Sequence, residues 1–320
     1  MPSATKNVGI MLPRDLPASE VLDFARRAED AGFDEVWVVE DLGYRGGVAQ
    51  AASVLAVTSR ITVGVGILPA AVRNVAFAAM EIATLAQLYP GRLVVGIGHG
   101  MPGWLTSVGA WPQKPLTFLR EYVVALRALL EGSPAPEHGT YVEVGGLRLS
   151  ETPDIIPPIV LGVRGPKSLA AAGEIADGVV LAEPATPEYI AHALAQIGDV
   201  EARVITYDLA AVADTTDAAQ EIVRPALAVL AESDWRPHVL PLPYAQELLQ
   251  HAADLPVDVF TQTLPPEWVS ELTLSGAVDE VRAGIRRRHD AGASTVVLIP
   301  VGQDPTGMIE ALSATLPVRP

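Results

Sequence analysis

Pro158-Ile159-Val160-Leu161-Gly162-Val163-Arg164-Gly165-Pro166-Lys167-Ser168-Leu169, continued by Ala172-Gly173-Glu174-Ile175-Ala176-Asp177-Gly178-Val179-Val180-Leu181, spells out one complete structural unit. Ile159 to Val163 is apolar on successive residues, the pattern of a strand buried on both faces. The Gly-Val-Arg-Gly-Pro-Lys turn follows, with Pro166 suited to the first position of a helix. That helix spans Lys167 to Ala176, and Asp177-Gly178 turns the chain into a strand at Val179 to Leu181. Strand, helix and strand in this order make a parallel β–α–β unit.

The same junction recurs to either side. Glu29-Asp30-Ala31-Gly32-Phe33-Asp34-Glu35-Val36 and Asp290-Ala291-Gly292-Ala293-Ser294-Thr295-Val296 repeat the pattern of Ile175-Ala176-Asp177-Gly178-Val179. In each, a glycine at the helix end supplies the left-handed backbone that leads into a strand. Further strands are expected at Val8 to Leu12, Glu35 to Val39, Ile61 to Gly66, Leu93 to Ile97, Arg203 to Tyr207 and Val296 to Ile299. Helices are expected at Ser19 to Ala31, Val48 to Thr58, Val75 to Leu88 and Leu116 to Leu130. Seven or eight such units predict an α/β fold, a (β/α)8 TIM barrel, within a single domain over residues 1–320. Two stretches fall outside the count. Tyr141 to Leu149, with Val144-Gly145-Gly146-Leu147 at its centre, predicts a β-hairpin within an excursion over about 141–157. The proline-rich span from about 214 to 275 predicts a helical insertion before the last helix and strand.

Composition narrows the function. The chain has 320 residues, 49 % of them hydrophobic, with 22 Lys plus Arg against 38 Asp plus Glu and a formal net charge of -16. That balance argues against nucleic-acid and anionic-membrane partners. No cysteine is present, which excludes disulfides and thiolate chemistry. The longest uncharged stretch, Leu93 to Gln113, is broken by glycine and proline, so no membrane span is expected; Met1 to Asn7 lacks an apolar signal core, and a cytoplasmic protein is expected. The six histidines are scattered without a metal-ligand spacing. Lys6, Lys114 and Lys167 are the only lysines, and none is placed inside a barrel for Schiff-base chemistry. Gly98-His99-Gly100-Met101-Pro102-Gly103 matches a dinucleotide-binding string, but no helix pattern opens before Leu116.

A barrel of this type carries its site at the C-terminal ends of the strands. Glu40 and Asp41 follow the second strand, and adjacent residues there point in opposite directions. One is expected at the mouth, the other against a loop or a helix start. His99, flanked by glycines after the fourth strand, is a candidate proton donor or ring contact. The Gly162-Val163-Arg164-Gly165-Pro166-Lys167 turn offers helix-start N–H groups and two cations to an anion.

The order of these motifs resembles the luciferase-like monooxygenase superfamily, and within it the deazaflavin-dependent oxidoreductases related to methylenetetrahydromethanopterin reductase. The resemblance rests on Ala31 to Val38, the Gly-Val-Gly end of strand three, Pro90-Gly91-Arg92-Leu93-Val94-Val95-Gly96-Ile97-Gly98, Leu119-Arg120-Glu121 and the stretch quoted first. It implies a barrel that binds coenzyme F-420 and moves a hydride to or from a small organic substrate; the alternatives are an FMN-dependent luciferase-like monooxygenase and a non-catalytic flavin- or deazaflavin-binding member of the family. It also implies a homodimer, a phosphate held at Gly162 to Lys167, and a strand-three bulge with a non-prolyl cis peptide at Gly66–Ile67 behind the ring. Gly98, His99, Gly100, Ala182 and Glu183 complete the implied cofactor contacts, and Glu40, Asp41 and His99 the catalytic set. Where relatives carry Asp-His after strand two and Arg-His after strand three, this chain has Glu40-Asp41 and Arg73-Asn74.

Overall fold

Eight parallel strands close into a ring in the computed structural model, which describes residues 6–317. They are β1 (Asn7–Met11), β2 (Glu35–Val38), β3 (Thr62–Pro69), β4 (Leu93–Gly98), β5 (Ile159–Gly162), β6 (Gly178–Leu181), β7 (Arg203–Val212) and, beyond a short β8 (Leu274–Gly276), β9 (Thr295–Pro300). Each strand from β1 to β6 pairs with the next, β7 pairs with β9, and β9 returns to β1. The three-residue β8 stands outside the ring and pairs only with the far end of β7, Ala210–Val212. All four residues of β2 and of β6 are buried, as expected for strands covered on both faces.

The covering helices are α1 (Val21–Asp30), α2 (Gly47–Val57), α3 (Val75–Leu88), α4 (Pro102–Ser107), α5 (Pro115–Leu130), α6 (Pro166–Ile175) and α7 (Pro187–Ile197). The glycines at the αβ junctions do what the pattern requires, with φ of 93° at Gly32 and 117° at Gly292. At the first of these junctions the Glu29 carboxylate accepts the N–H groups of Ser59, Arg60 and Ile61, which tethers α1 to the entry of β3. After α8 (Thr216–Val223) comes the helical insertion, with α9 (Arg236–Val239), α10 (Ala245–Asp254), α11 (Val257–Thr263) and α12 (Pro266–Leu272). It has its own apolar cluster, which Leu209 and Ala211 of β7 join. Two helices, α13 (Val278–Asp290) and α14 (Pro305–Ser313), flank β9.

Two expectations need correction. Tyr141 to Leu149 forms no hairpin. The Gly145-Gly146 turn is present, with φ of 57° and 70° and a Leu147 N–H to Val144 carbonyl bond of 3.0 Å. The flanking N–H groups of Thr140, Tyr141 and Val142 donate instead to the Glu121 carboxylate of α5, at 2.9, 2.7 and 3.0 Å. They are therefore not available to a partner strand. A helix also opens directly after the Gly98-His99-Gly100 turn. It is α4, whose six residues, with Leu105 alone buried, are too short to show a period.

The barrel interior is filled from below by one large side chain. Trp37 of β2 is fully buried and its indole N–H donates to the Glu35 carboxylate at 2.7 Å. The other Glu35 oxygen accepts from Asn7 at 2.9 Å and from Thr295 at 3.0 Å. A Cβ at Gly64 would overlap the indole, and one at Gly9 would come within 3.2 Å of it. Glycine in the adjacent strands is thus the room that Trp37 occupies. Tyr207 of β7 meets Trp37 edge-on at 5.9 Å and carries the packing up towards the mouth.

Candidate active site

The floor of the mouth is built by an irregularity in β3. Its pairing with β4 passes from Val65↔Val95 to Leu68↔Ile97, so β3 holds one extra residue there, a β-bulge. The Gly66–Ile67 peptide within the bulge is cis. The bulge throws the Ile67 side chain across the neighbouring strands. A Cβ at Gly96 would stand 2.9 Å from Ile67, one at Gly98 3.2 Å, and one at Gly162 2.5 Å. Gly98 and Gly162 therefore make room for Ile67, which lies over β4 and β5 as a platform. The Tyr207 hydroxyl reaches the Gly66 carbonyl from the opposite side at 3.5 Å.

The two acids after β2 diverge, as alternation requires. Glu40 turns to the outer helices, where it accepts the Gly47 N–H at the start of α2 at 2.7 Å. It also pairs with Arg73 at 3.1 Å, and Arg73 in turn reaches Glu81 of α3 at 3.1 Å. Asp41 is held by Arg14 at 2.8 Å and acts electrostatically on Glu183 and Tyr207 across the mouth.

At the β5–α6 turn the two glycines do different work. Gly165 is the N-cap of α6 and has no side chain with which to satisfy the helix-start N–H groups; a Cβ there would meet nothing within 4 Å. Beside this open cradle Lys167 is exposed and Val163 is buried. The Arg164 guanidinium lies over the Trp235 ring at 4.3 Å and points a donor at the Met101 sulfur. His99 Nε2 is 3.4 Å from the Ser168 hydroxyl in the first turn of α6, so its imidazole belongs to the cradle. Burial holds the His99 pKa below its usual value, which favours the neutral ring. Gly100 takes φ of 71° and lets the chain pass from β4 into α4. A glycine-rich helix start flanked by a guanidinium and an ammonium fits a phosphate.

Glu183 follows Ala182 at the end of β6, next to a cis peptide to Pro184. Burial pushes its carboxyl pKa up to about 7. Its own N–H and Arg164 work against that rise, while Asp41 and Asp208 add to it. Tyr207, buried near Glu183, Asp41 and Glu35, stays protonated well above the ordinary tyrosine range. Behind this turn His238 of α9 is fully buried, stacks on Tyr189 at 4.5 Å and faces the carbonyls of Ala182 and Pro184. Burial lowers its pKa to about 3. Sequence reading met Arg73 only through the family resemblance, and it missed Trp37, Tyr207 and His238. Only Trp37 left a signal, since Glu35 and Trp37 share one face of a strand. Among the described residues no cluster of His, Asp and Glu could hold a metal ion, and no helix is long and apolar enough to cross a membrane.

The family model for luciferase-like monooxygenases matches residues 4–295. A 5,10-methylenetetrahydromethanopterin reductase of Methanolobus tindarius is 33 % identical over 172 residues, 53 % of this chain and 52 % of that protein. An F420-dependent glucose-6-phosphate dehydrogenase of Microbacterium testaceum is 32 % identical over 182 residues, 53 % of this chain and 54 % of its own length. The chain thus spans about half the length of the curated relatives it matches. Among solved structures, coenzyme F420 dependent tetrahydromethanopterin reductase from Methanopyrus kandleri superposes with a TM-score of 0.81 at 24 % identity, covering 97 % of this chain and 98 % of that one. An F420-dependent secondary alcohol dehydrogenase in complex with an F420-acetone adduct gives 0.75 at 22 % identity, covering 98 % of each chain. At these identities the superpositions establish the barrel.

Proposed function

Because the chain belongs to the luciferase-like monooxygenase family, we propose that it is a coenzyme F-420-dependent oxidoreductase that moves a hydride between the deazaflavin and a small organic substrate. The curated relatives support this reading, since those named for a cofactor are F420-dependent. The observation that carries it is the pairing of a flat apolar platform with an anion cradle on adjacent strands. Ile67 spans β4 and β5, and the uncapped start of α6 lies just beyond them. The distribution suits a planar ring joined to a phosphate tail.

In this reading Gly66, Ile67 and Gly98 back the ring, while His99, Gly100 and Gly162 to Lys167 hold the phosphate. Ala182 and Glu183 border the ring on its far side. When bound, the cofactor supplies a carbon centre that accepts or releases a hydride. Glu40 acts at one remove, fixing the start of α2 and Arg73, and Asp41 places a negative charge at the rim. The described residues form one domain around this site.

The test is titration with F-420 and, separately, with FMN, followed by fluorescence. Saturable quenching of F-420 with no response to FMN supports the proposal; FMN binding without F-420 binding refutes it. Arg164→Ala is expected to weaken F-420 binding about 10- to 100-fold, the range for one charge-assisted hydrogen bond.

A homodimer belongs to the same proposal. On α3, Phe77, Met80 and Leu88 are 64 %, 52 % and 65 % exposed, and the neighbouring α2 presents the small residues Ala49, Ser53 and Ala56. An apolar face of this kind suits a second copy of the chain. Phe77→Glu is expected to yield a monomer in sedimentation analysis. A cytoplasmic location goes with the reading, since a dissociable redox cofactor is shared with the enzymes that recharge it.

A further inference from the structure

We propose that Glu183 is the acid that exchanges a proton with the substrate in this site. The assignment rests on the hydride-transfer reading above and adds to it a residue with a stated task. Every other acid or imidazole named for that task is already engaged. Glu40 is bound by Gly47 and Arg73, Asp41 by Arg14, and His99 lies against Ser168 in the phosphate cradle. The Glu183 carboxylate receives a hydrogen bond from its own backbone N–H and feels the charge of Arg164, and among the described residues no side chain forms a salt bridge with it.

Its backbone is held with care. On one side the Ala185 N–H donates to Asp208, itself fixed by Arg288 at 2.6 Å and by Thr206 at 2.9 Å. On the other, the fully buried His238 ring from the insertion faces the carbonyls of Ala182 and Pro184. The turn that presents Glu183 is thus tied to β7 by hydrogen bonds and backed by the His238 ring of α9, whose two nitrogens make no hydrogen bond, the support a positioned side chain needs. The charged and titratable groups around the carboxyl are Arg164 after β5, Asp41 after β2, Tyr207 and Asp208 on β7, and His238 behind. With a pKa of about 7, the carboxyl populates both protonation states at neutral pH, as general acid–base work requires.

In reduction, a hydride from the reduced deazaflavin adds to the carbon of a C=O or C=N bond while the Glu183 O–H proton passes to the heteroatom. The substrate gains one hydride, which carries both electrons, and one proton. The deazaflavin is left oxidised and Glu183 is left as the carboxylate, which solvent reprotonates. In oxidation each transfer reverses.

The test compares wild type, Glu183→Gln and Glu183→Asp. In carboxyl carbon NMR of the cofactor-free protein, one glutamate signal should titrate near pH 7 and vanish in Glu183→Gln. If every glutamate titrates in the ordinary carboxylate range, the proposal is overturned. With reduced F-420 and acetone, single-turnover hydride transfer at saturating cofactor should slow about 10²–10⁴-fold in Glu183→Gln. Glu183→Asp should fall between the two. The acid must be protonated to donate, so the wild-type reduction rate should drop as pH rises through about 7, and the Gln variant should lose that limb. Wild-type rates in Glu183→Gln overturn the assignment. Failure of the wild type to quench F-420 would strike the functional reading instead, while the NMR titration still decides whether Glu183 carries the proton.

Discussion

Replacing Arg288 with methionine would expose how far the mouth depends on a charge pair outside the barrel. Asp208 is 0 % and Arg288 1 % exposed, joined at 2.6 Å between β7 and α13. Methionine fills much of the same volume, so the main loss is the partner of a buried carboxylate. The Asp208 pKa is already raised, by burial first, with Arg288 the largest opposing influence. Without the guanidinium, the folded protein must either bury an unpaired charge, at about 3–5 kcal/mol, or protonate it. Protonation costs about 1.36 kcal/mol per pH unit above the unfolded value near 3.8. That is about 1.6 kcal/mol at pH 5 and about 6 at pH 8. The molecule takes the cheaper route, so the expected loss is about 1.6 kcal/mol at pH 5 and 3–5 kcal/mol at pH 8. The sign follows from linkage. A folded pKa above the unfolded one means that the native state holds the extra proton, so stability falls as pH rises. Urea unfolding followed by circular dichroism at the two pH values measures this. Asp208→Asn combined with Arg288→Met should recover about half of the pH 8 loss or more. A loss at pH 8 below about 1 kcal/mol, or equal losses at both pH values, refutes the reasoning.

Gly66→Ala is expected to destabilise by about 1–3 kcal/mol, because its methyl would overlap the Tyr207 hydroxyl. Adding Tyr207→Phe should return more than half of that in a double-mutant cycle, and strict additivity would contradict the overlap. Glu121→Gln should cost about 1–2 kcal/mol at pH 7, since it weakens three charge-assisted bonds to the 140–142 backbone. Burial opposes ionisation of Glu121, yet those N–H groups hold its pKa below the usual value. Its contribution is therefore present above about pH 4.5 and lost as pH falls further. Urea midpoints of wild type and variant should converge in acid, and a constant gap down to pH 3 would contradict this account.

Most of the fold could be read from the chain because parallel strands covered on both faces are apolar on consecutive residues. Glycine also marks the turn from helix into strand. The misses have physical causes. Around Gly145-Gly146 the turn residues were read correctly, but a carboxylate on α5 took the N–H groups that a hairpin needs. In β8 there are three residues, Leu274-Ser275-Gly276, too few for any periodicity. Within the site, local pattern anticipated that Glu40 and Asp41 would face apart and that the Gly162 to Lys167 turn would open a helix. The bulge and cis peptide at Gly66–Ile67 came from family resemblance, and the backbone shows both. The contacts of Tyr207 with Gly66 and of His238 with the β6 turn were illegible. The first joins residues 141 positions apart, and the second comes from an insertion whose course has no local signature.

Trp37 and its two glycine neighbours also bear on how such a barrel drifts over generations. Gly64 cannot gain a side chain while the indole stands against it, Gly9 could do so only if the indole and Glu35 gave way, and a smaller residue at 37 would leave a void beside both. Single steps away from this trio are penalised in either direction, so the positions are epistatic and substitutions there should appear as matched sets. Laboratory evolution aimed at new substrates would then find its accessible routes around the rim and in the insertion, while the plug beneath holds the register of the whole scaffold.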